Sequence, residues 1–241
     1  MSPHHTNHRR IVAVVPAAGS GSRMGDPLPK QYLDINGLPM IVHTLLALAK
    51  VARIEQIVVV IAAEDAYWQT IVEPHRAALG PRVVARRVGG STRAASVLNG
   101  LREVDAAFAE SDWALVHDAA RPCIRVELIE QFIDAIEQEQ DCAGGLLALP
   151  VADTLKRGDG NHRVLSTIER QGLWRAQTPQ MFSLGLLMQA LREVPGATDE
   201  AQAMEALGHQ SKLVVGDSAN LKVTYATDMK LARILLAEDE A

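Results

Sequence analysis

"VVPAAGSGSRMGDPLPKQY", Val14 to Tyr32, decides how the rest of the chain is read. It opens as the end of an apolar strand, Ile11–Pro16, then dissolves into alanine, glycine and serine before offering one arginine, Arg23, and one lysine, Lys30. A strand running into a small-residue loop is a phosphate-binding arrangement in several folds, because small residues let backbone N–H groups approach phosphate oxygens. Two common forms of that loop fail here. No Lys-Ser or Lys-Thr pair follows Gly19, Gly21 or Gly25, which removes the Walker A loop. The dinucleotide fingerprint G-x-G-x-x-G would put its third glycine at position 24, which is Met24, and the ribose-binding acid is missing at its usual distance. Both observations disfavour an NAD-dependent oxidoreductase. What is present is A-G-x-G-x-R-M, Ala18 to Met24, with Pro29-Lys30 a short distance on.

Outward from this loop, apolar runs predict strands at Ile11–Pro16, Gln56–Ala62, Arg82–Val88, Trp113–His117 and Gly145–Pro150. Helical periodicity separates most of them, at Met40–Val51, Ser91–Ala107 and Val126–Gln138. Short apolar strands alternating with amphipathic helices predict an α/β fold: a Rossmann-like, doubly wound, mostly parallel sheet. The rhythm breaks over Val151–Gln177, where two alternating runs flank the polar turn Arg157–Asn161, the pattern of a projecting β-hairpin. It resumes with helices at Leu184–Glu193 and Asp199–Leu207, a strand at Lys212–Val215 and a helix at Thr227–Leu236, and Lys222 is expected to lead into a last strand and helix. The organisation predicted is a disordered leader over 1–10 and a single domain over 11–241, with a β-arm at about 151–177.

The 241 residues are 48% hydrophobic but only 4% aromatic, an Ala/Val/Leu-rich composition suited to helices packed on a parallel sheet. No apolar run reaches the ~18–20 residues of a membrane helix, and the polar start MSPHHTNHRR lacks the apolar stretch of a signal peptide. Two cysteines, Cys123 and Cys142, make neither a metal spacing nor a disulfide framework, so a cytoplasmic protein is expected. A net charge of −5 argues against bulk attraction to nucleic acid. Any anion site must therefore be built locally from placed cations.

The loop, taken with "GGSTRAASVLNG" (Gly89–Gly100), "VHDAARP" (Val116–Pro122) and "LKVTYATDM" (Leu221–Met229), resembles the nucleotidyltransferase superfamily. With the hairpin included, the chain is similar over Ile11–Leu236 to the 2-C-methyl-D-erythritol 4-phosphate cytidylyltransferase family of the non-mevalonate isoprenoid pathway. It departs from the family pattern at Ala219, where an acidic residue is common, and at Ala226, where proline is common.

The resemblance implies a transferase that moves a cytidylyl group from CTP to methylerythritol 4-phosphate and releases pyrophosphate, with Mg²⁺ or another divalent cation held by Asp118. Such a reaction needs mainly positioning and charge stabilisation, since the attacking phosphate oxygen is already anionic. The implied catalytic cations are Arg23, Lys30, Arg170 and Lys222. The implied nucleotide site comprises Pro16, Ala17, Ala18, Gly19, Gly21, Lys30, Gly89, Gly90, Arg93, Ser96, Asp118, Ala119 and Ala120, with Gly89, Gly90 and Ser96 against the base. The second substrate falls to Asp118, Arg121, Thr154, Arg170 and Lys222. Thr154 and Arg170 lie on the arm, which in the family crosses to the other subunit, so a homodimer is implied. His117 reads as a core partner or a neighbour of a ligand. The alternatives are a cytidylyltransferase for another polyol phosphate, such as ribitol 5-phosphate, and a non-catalytic nucleotide-binding module.

Overall fold

The computed structural model describes residues 9–19, 27–139 and 142–238, and the leader predicted over 1–10 lies outside these except for its last two residues. In chain order the elements are β1 (Ile11–Pro16), the two-residue ribbon β2 (Asp34–Ile35) and β3 (Leu38–Pro39), α1 (Met40–Lys50), β4 (Ile54–Val60) and α2 (Arg76–Leu79). Next come β5 (Val83–Arg86), α3 (Arg93–Arg102), β6 (Trp113–Val116), α4 (Val126–Glu137), β7 (Gly144–Pro150), β8 (Leu155–Gly158) and β9 (Val164–Ile168). The chain continues with β10 (Trp174–Ser183), α5 (Leu184–Glu193), α6 (Glu200–Ala206), β11 (Lys212–Val215) and α7 (Ala226–Glu238).

Seven strands form one sheet in the order β11-β7-β10-β6-β1-β4-β5. All are parallel except β10, which runs antiparallel to both β6 and β7. The period of two along β1 divides the core. Ala13 and Val15 join Leu45 of α1 and Phe132 and Ile133 of α4 on one face. Val12 and Val14 join Val97 of α3 and Leu187 and Leu191 of α5 on the other. Both faces are covered, which is why these strands read as continuous apolar runs. From β1 the chain winds outward through β4 and β5, then returns to β6 on the opposite side of β1. The strand order therefore reverses between β1 and β6, and a crevice opens beyond their C-terminal ends, where the small-residue loop and Asp118 emerge.

The structure corrects the sequence reading at several places. The predicted arm ended at Gln177 and left 178–183 without an element, yet Trp174–Ser183 is one long strand in the middle of the sheet. Its polar Gln177, Thr178 and Gln180 and its Pro179 do not look like a central strand. The register shift against β7 between Ala176 and Gln180 accommodates them. Helix α3 is shorter than predicted: the Thr92 hydroxyl accepts from the Ala95 N–H at 3.0 Å and fixes its start, and it ends at Arg102. Lys222 enters no strand; its segment is an extended connection in which the Val223 N–H donates to the Ala120 carbonyl at 2.8 Å. Strands β8 and β9 pair antiparallel with each other and with no other strand. Asp159 closes their turn by accepting from the N–H groups of Asn161 and Arg163. Val164 and Leu165 on this hairpin are 66% and 63% exposed.

Phe132 is fully buried where α4 meets the sheet. Phe132→Ala is expected to cost about 3–5 kcal/mol, through lost burial and the cavity left behind. Urea unfolding should show this as a lower midpoint at unchanged m-value.

Candidate active site

The crevice is a cleft of about 560 Å³ lined by Pro16–Gly19, Lys30 and Gln31 on one side, Gly90–Arg93 and Ser96 on another, and Asp118–Ala120, Lys222 and Thr224 across from them. Most of the predicted nucleotide residues thus converge. Gly21 and Arg23 lie outside the described residues. Gly89 is not in the lining; it sits behind the loop, where a Cβ would come within 2.5 Å of the Ala18 Cβ and 3.0 Å of the Ile61 carbonyl. Only a residue without a side chain lets the loop lie this close.

Asp118 follows β6 and is the charge centre of the cleft. Its Oδ1 accepts from Arg93 Nε at 2.9 Å, and its Oδ2 lies 2.8 Å from Lys222 Nζ and 3.8 Å from Arg121 Nε. Burial would raise this carboxyl, but Arg93, Lys222 and Arg121 hold it well below the usual carboxylate range. Arg93 is itself clamped: its Nη1 and Nη2 donate to the two oxygens of Glu200 at 2.7 and 3.1 Å, and Glu200 is fully buried at the start of α6. Against the lowering effect of burial, Glu200 and Asp118 push the Arg93 guanidinium above its ordinary value. Burial pushes the Glu200 carboxyl up, opposed by Arg93. Arg93 is therefore a bridge between two carboxyl groups, and its hydrogen bonds are directed there.

The remaining predicted residues take distinct places. The Ser96 hydroxyl accepts from the Gly90 N–H at 3.0 Å and donates to the Thr92 carbonyl at 2.9 Å, so it shapes the Gly90 turn as well as lining the cleft. Arg121 lies behind Asp118, outside the lining, with Nη1 donating to the Asn220 carbonyl at 2.6 Å; burial lowers its guanidinium below the ordinary value. Lys30 Nζ donates to the Val223 carbonyl at 2.7 Å. Thr154 and Arg170 are exposed on the hairpin and do not line this cleft, and Arg170 bonds the Ala152 carbonyl of its own arm. Sequence reasoning missed Glu200, Gln31, Thr224 and Thr178. The Thr178 hydroxyl accepts from the Asp118 N–H at 3.0 Å and lies 3.1 Å from His117 Nδ1.

Known proteins supply the family. A family model described as IspD, 2-C-methyl-D-erythritol 4-phosphate cytidylyltransferase, matches residues 11–238. The chain belongs to this family. The family member of that name from Dechloromonas aromatica is 52% identical over 227 residues, spanning 94% of this chain and 97% of the relative. The one from Azoarcus sp. is 49% identical over 229 residues, 95% of each chain. Among solved structures, a 4-diphosphocytidyl-2C-methyl-D-erythritol synthase superposes with a TM-score of 0.82 at 37% identity, covering 95% of this chain and 99% of the other. The Francisella tularensis cytidylyltransferase superposes at 0.77 with 30% identity, covering 94% and 99%. The mostly parallel sheet with flanking helices is thus shared with solved members of the cytidylyltransferase family.

His117 is a group through which acid acts on the fold. Its side chain is fully buried, and burial pushes its imidazole down to about 4. With Thr178 accepting from Asp118 and donating to Nδ1, the neutral ring is the form that fits, its Nε2 facing the Arg121 carbonyl at 3.5 Å. The folded value lies below the unfolded one, so the unfolded chain takes up this proton first. Stability is expected to fall as pH drops from about 6.5 towards 4, by up to ~1.4 kcal/mol per pH unit from this group. Urea titrations between pH 7 and 5 should show a shallower loss in His117→Gln than in the parent chain.

Proposed function

We propose that this chain transfers the cytidylyl group of CTP to 2-C-methyl-D-erythritol 4-phosphate, giving the CDP-alcohol and pyrophosphate. The observation that carries the reading is the cleft itself. It joins an open small-residue loop to a cation cluster centred on one carboxylate, at the reversal point of the sheet. The relatives named for this activity match the chain from end to end of that architecture.

A phosphate oxygen of the polyol phosphate attacks the α-phosphorus of CTP. The new P–O bond forms as the bond to the β-phosphate oxygen breaks, and the electron pair leaves with pyrophosphate. No protein base is needed, because the attacking oxygen carries no proton at neutral pH. The protein's task is to hold two polyanions in line and stabilise the charge that develops. The backbone of Pro16–Gly19 faces the nucleotide, and Lys30 and Arg23 meet the triphosphate. Cytosine lies against the Gly90 turn that Ser96 fixes, and Ala119 and Ala120 border the sugar side. Lys222, with Arg121 behind it, faces the second phosphate.

Among the described residues no group of three His, Cys, Asp or Glu side chains is arranged to hold a metal, and Asp118 is the one carboxylate in the cleft lining. A single hard oxygen donor fits a cation such as Mg²⁺ that draws its other ligands from phosphates and water. Such an ion would supply charge neutralisation between the phosphates, and Asp118 would hold it.

The arm reading extends the site to a second copy. Thr154 and Arg170 lie outside the cleft of their own chain, on a hairpin with exposed Val164 and Leu165. In a homodimer formed through these arms, Thr154 and Arg170 of one subunit reach the substrate phosphate of the other. A cytoplasmic setting accords with two free cysteines and with the lack, among the described residues, of a helix long and apolar enough to cross a membrane.

Pyrophosphate release tests the reaction. CTP with methylerythritol 4-phosphate should far outpace ATP, GTP or UTP, outpace ribitol 5-phosphate, and stop in excess chelator. Equal turnover with UTP would overturn the cytidylyl reading, and faster turnover of ribitol 5-phosphate would move the assignment to that substrate. The shared site is tested by mixing inactive Arg23→Ala and Arg170→Ala chains under conditions of subunit exchange. Each mixed dimer then has one site with both defects and one with neither, so activity should recover to about a quarter of wild type. No recovery, with exchange confirmed, would place Arg170 in its own subunit's site.

A further inference from the structure

We propose that Gln31 is the positioning residue of the nucleotide loop, holding two of its carbonyls away from the triphosphate so that the neighbouring N–H groups are free to meet it. The inference rests on the reading of the cleft as the CTP site. Gln31 belongs to the single turn Lys30–Tyr32 that follows the loop, and it is only 5% exposed. Its Nε2 donates to the Ala17 carbonyl at 2.7 Å and the Gly19 carbonyl at 3.0 Å. The C=O and N–H of a trans peptide point in opposite directions. Anchoring the Ala17 carbonyl on Gln31 therefore turns the Ala18 N–H to the other side.

Three further contacts give this clamp a consequence. The Ala17 N–H is already committed to the Val60 carbonyl at 2.8 Å, whereas no described residue accepts from the N–H of Ala18 or Gly19. Ala18 is half-buried, and a half-buried backbone donor is rarely left uncommitted, so an anion in the cleft is its natural acceptor. Gly89 packs closely on the Ala18 side chain, so the loop is fixed by contacts to both Gly89 and Gln31. The residue before Gln31 is Lys30, whose ammonium is tied across the cleft to Val223. One three-residue turn thus sets both the cation and the orientation of the loop. Without the carboxamide, the carbonyls of Ala17 and Gly19 are free to swing towards a polyanion and repel it.

Gln31→Met keeps length and volume and removes both donors. Its KM for CTP in the pyrophosphate assay, and its calorimetric Kd for CTP, are expected to rise at least about tenfold, the scale of two lost hydrogen bonds. The KM for the polyol phosphate should stay within about twofold of the parent value, since the second substrate meets other groups. Gln31→Asn, with the same amide one methylene short, should behave alike. A purely structural role would instead lower Tm and the active fraction while leaving the CTP constants of the surviving enzyme in place, and that result overturns the proposal. In the wild-type chain, saturating CTP should shift the amide resonance of Ala18, and an unmoved resonance overturns the proposal even if neither variant folds. The parent chain keeps the two claims apart: a wild type that does not turn CTP over defeats the proposed reaction, while normal CTP constants in a folded variant defeat only the role of Gln31.

Discussion

Asp118 stands at the end of β6 with its carboxylate divided among Arg93, Arg121 and Lys222, and much of the molecule is arranged to keep it there. Charges withdrawn from water destabilise a fold unless each finds a counter-charge and its remaining hydrogen-bonding groups are satisfied. The partners come from separate parts of the chain: α3 brings Arg93, α6 brings Glu200 behind it, and the connection before α7 brings Lys222. Those elements are fixed relative to one another by a single knot of charge. The knot holds three cations against two carboxyl groups and keeps a positive surplus, to which Lys30 adds from the edge of the cleft. The residues that neutralise a buried carboxylate thus also leave the cleft with a surplus of positive charge.

The antiparallel strand β10 makes the knot possible. It passes between β6 and β7 and carries Gln177, Thr178 and Gln180 into the interior. Each finds a task. The Thr178 hydroxyl receives the Asp118 N–H, and Gln177 donates to the carbonyls of Asp217 and Asn220. Gln180 donates to Asp199 and accepts from the Ala201 N–H, which pins the start of α6 where Glu200 can reach Arg93. Polar groups are tolerated in a strand this deep because nearly all are hydrogen-bonded, and the bonds lead to the site.

Strands β1 and β4 and the helices facing them were legible because both sheet faces are covered, so the strands read as unbroken apolar runs between amphipathic helices. Strand β10 was not, because buried Gln177, Thr178 and Gln180 and Pro179 break its apolar run before Met181 and Phe182, and those polar residues owe their stability to partners elsewhere in the chain. The site divides in the same way. Lys30, Gly90, Asp118 and Lys222 belong to short local motifs, and the structure gathers them into one cleft. Glu200 pairs with Arg93 across 107 positions, and Gln31 works on Ala17 from 14 positions away. Neither contact leaves a local signature: Asp199-Glu200 reads as an ordinary helix start, and Gln31 as a polar residue in a turn. Thr154 and Arg170 enter only through the resemblance, since both lie outside the cleft of this chain.

The chain as a whole is negative, at −5, yet its cleft carries more cations than carboxylates. The two facts are compatible because exposed charges farther away than about 8 Å are screened at physiological salt, while those lining a low-dielectric cleft are not. Surface acids therefore set solubility and suppress loose contacts with nucleic acid. Within the cleft, Lys30 and Lys222 are each already bonded to a protein oxygen, Val223 O for one and Asp118 for the other. A ligand must compete with those bonds. The ammonium groups of the cleft are thus held in place by the protein's own oxygens, and the same contacts keep positive charge inside the fold.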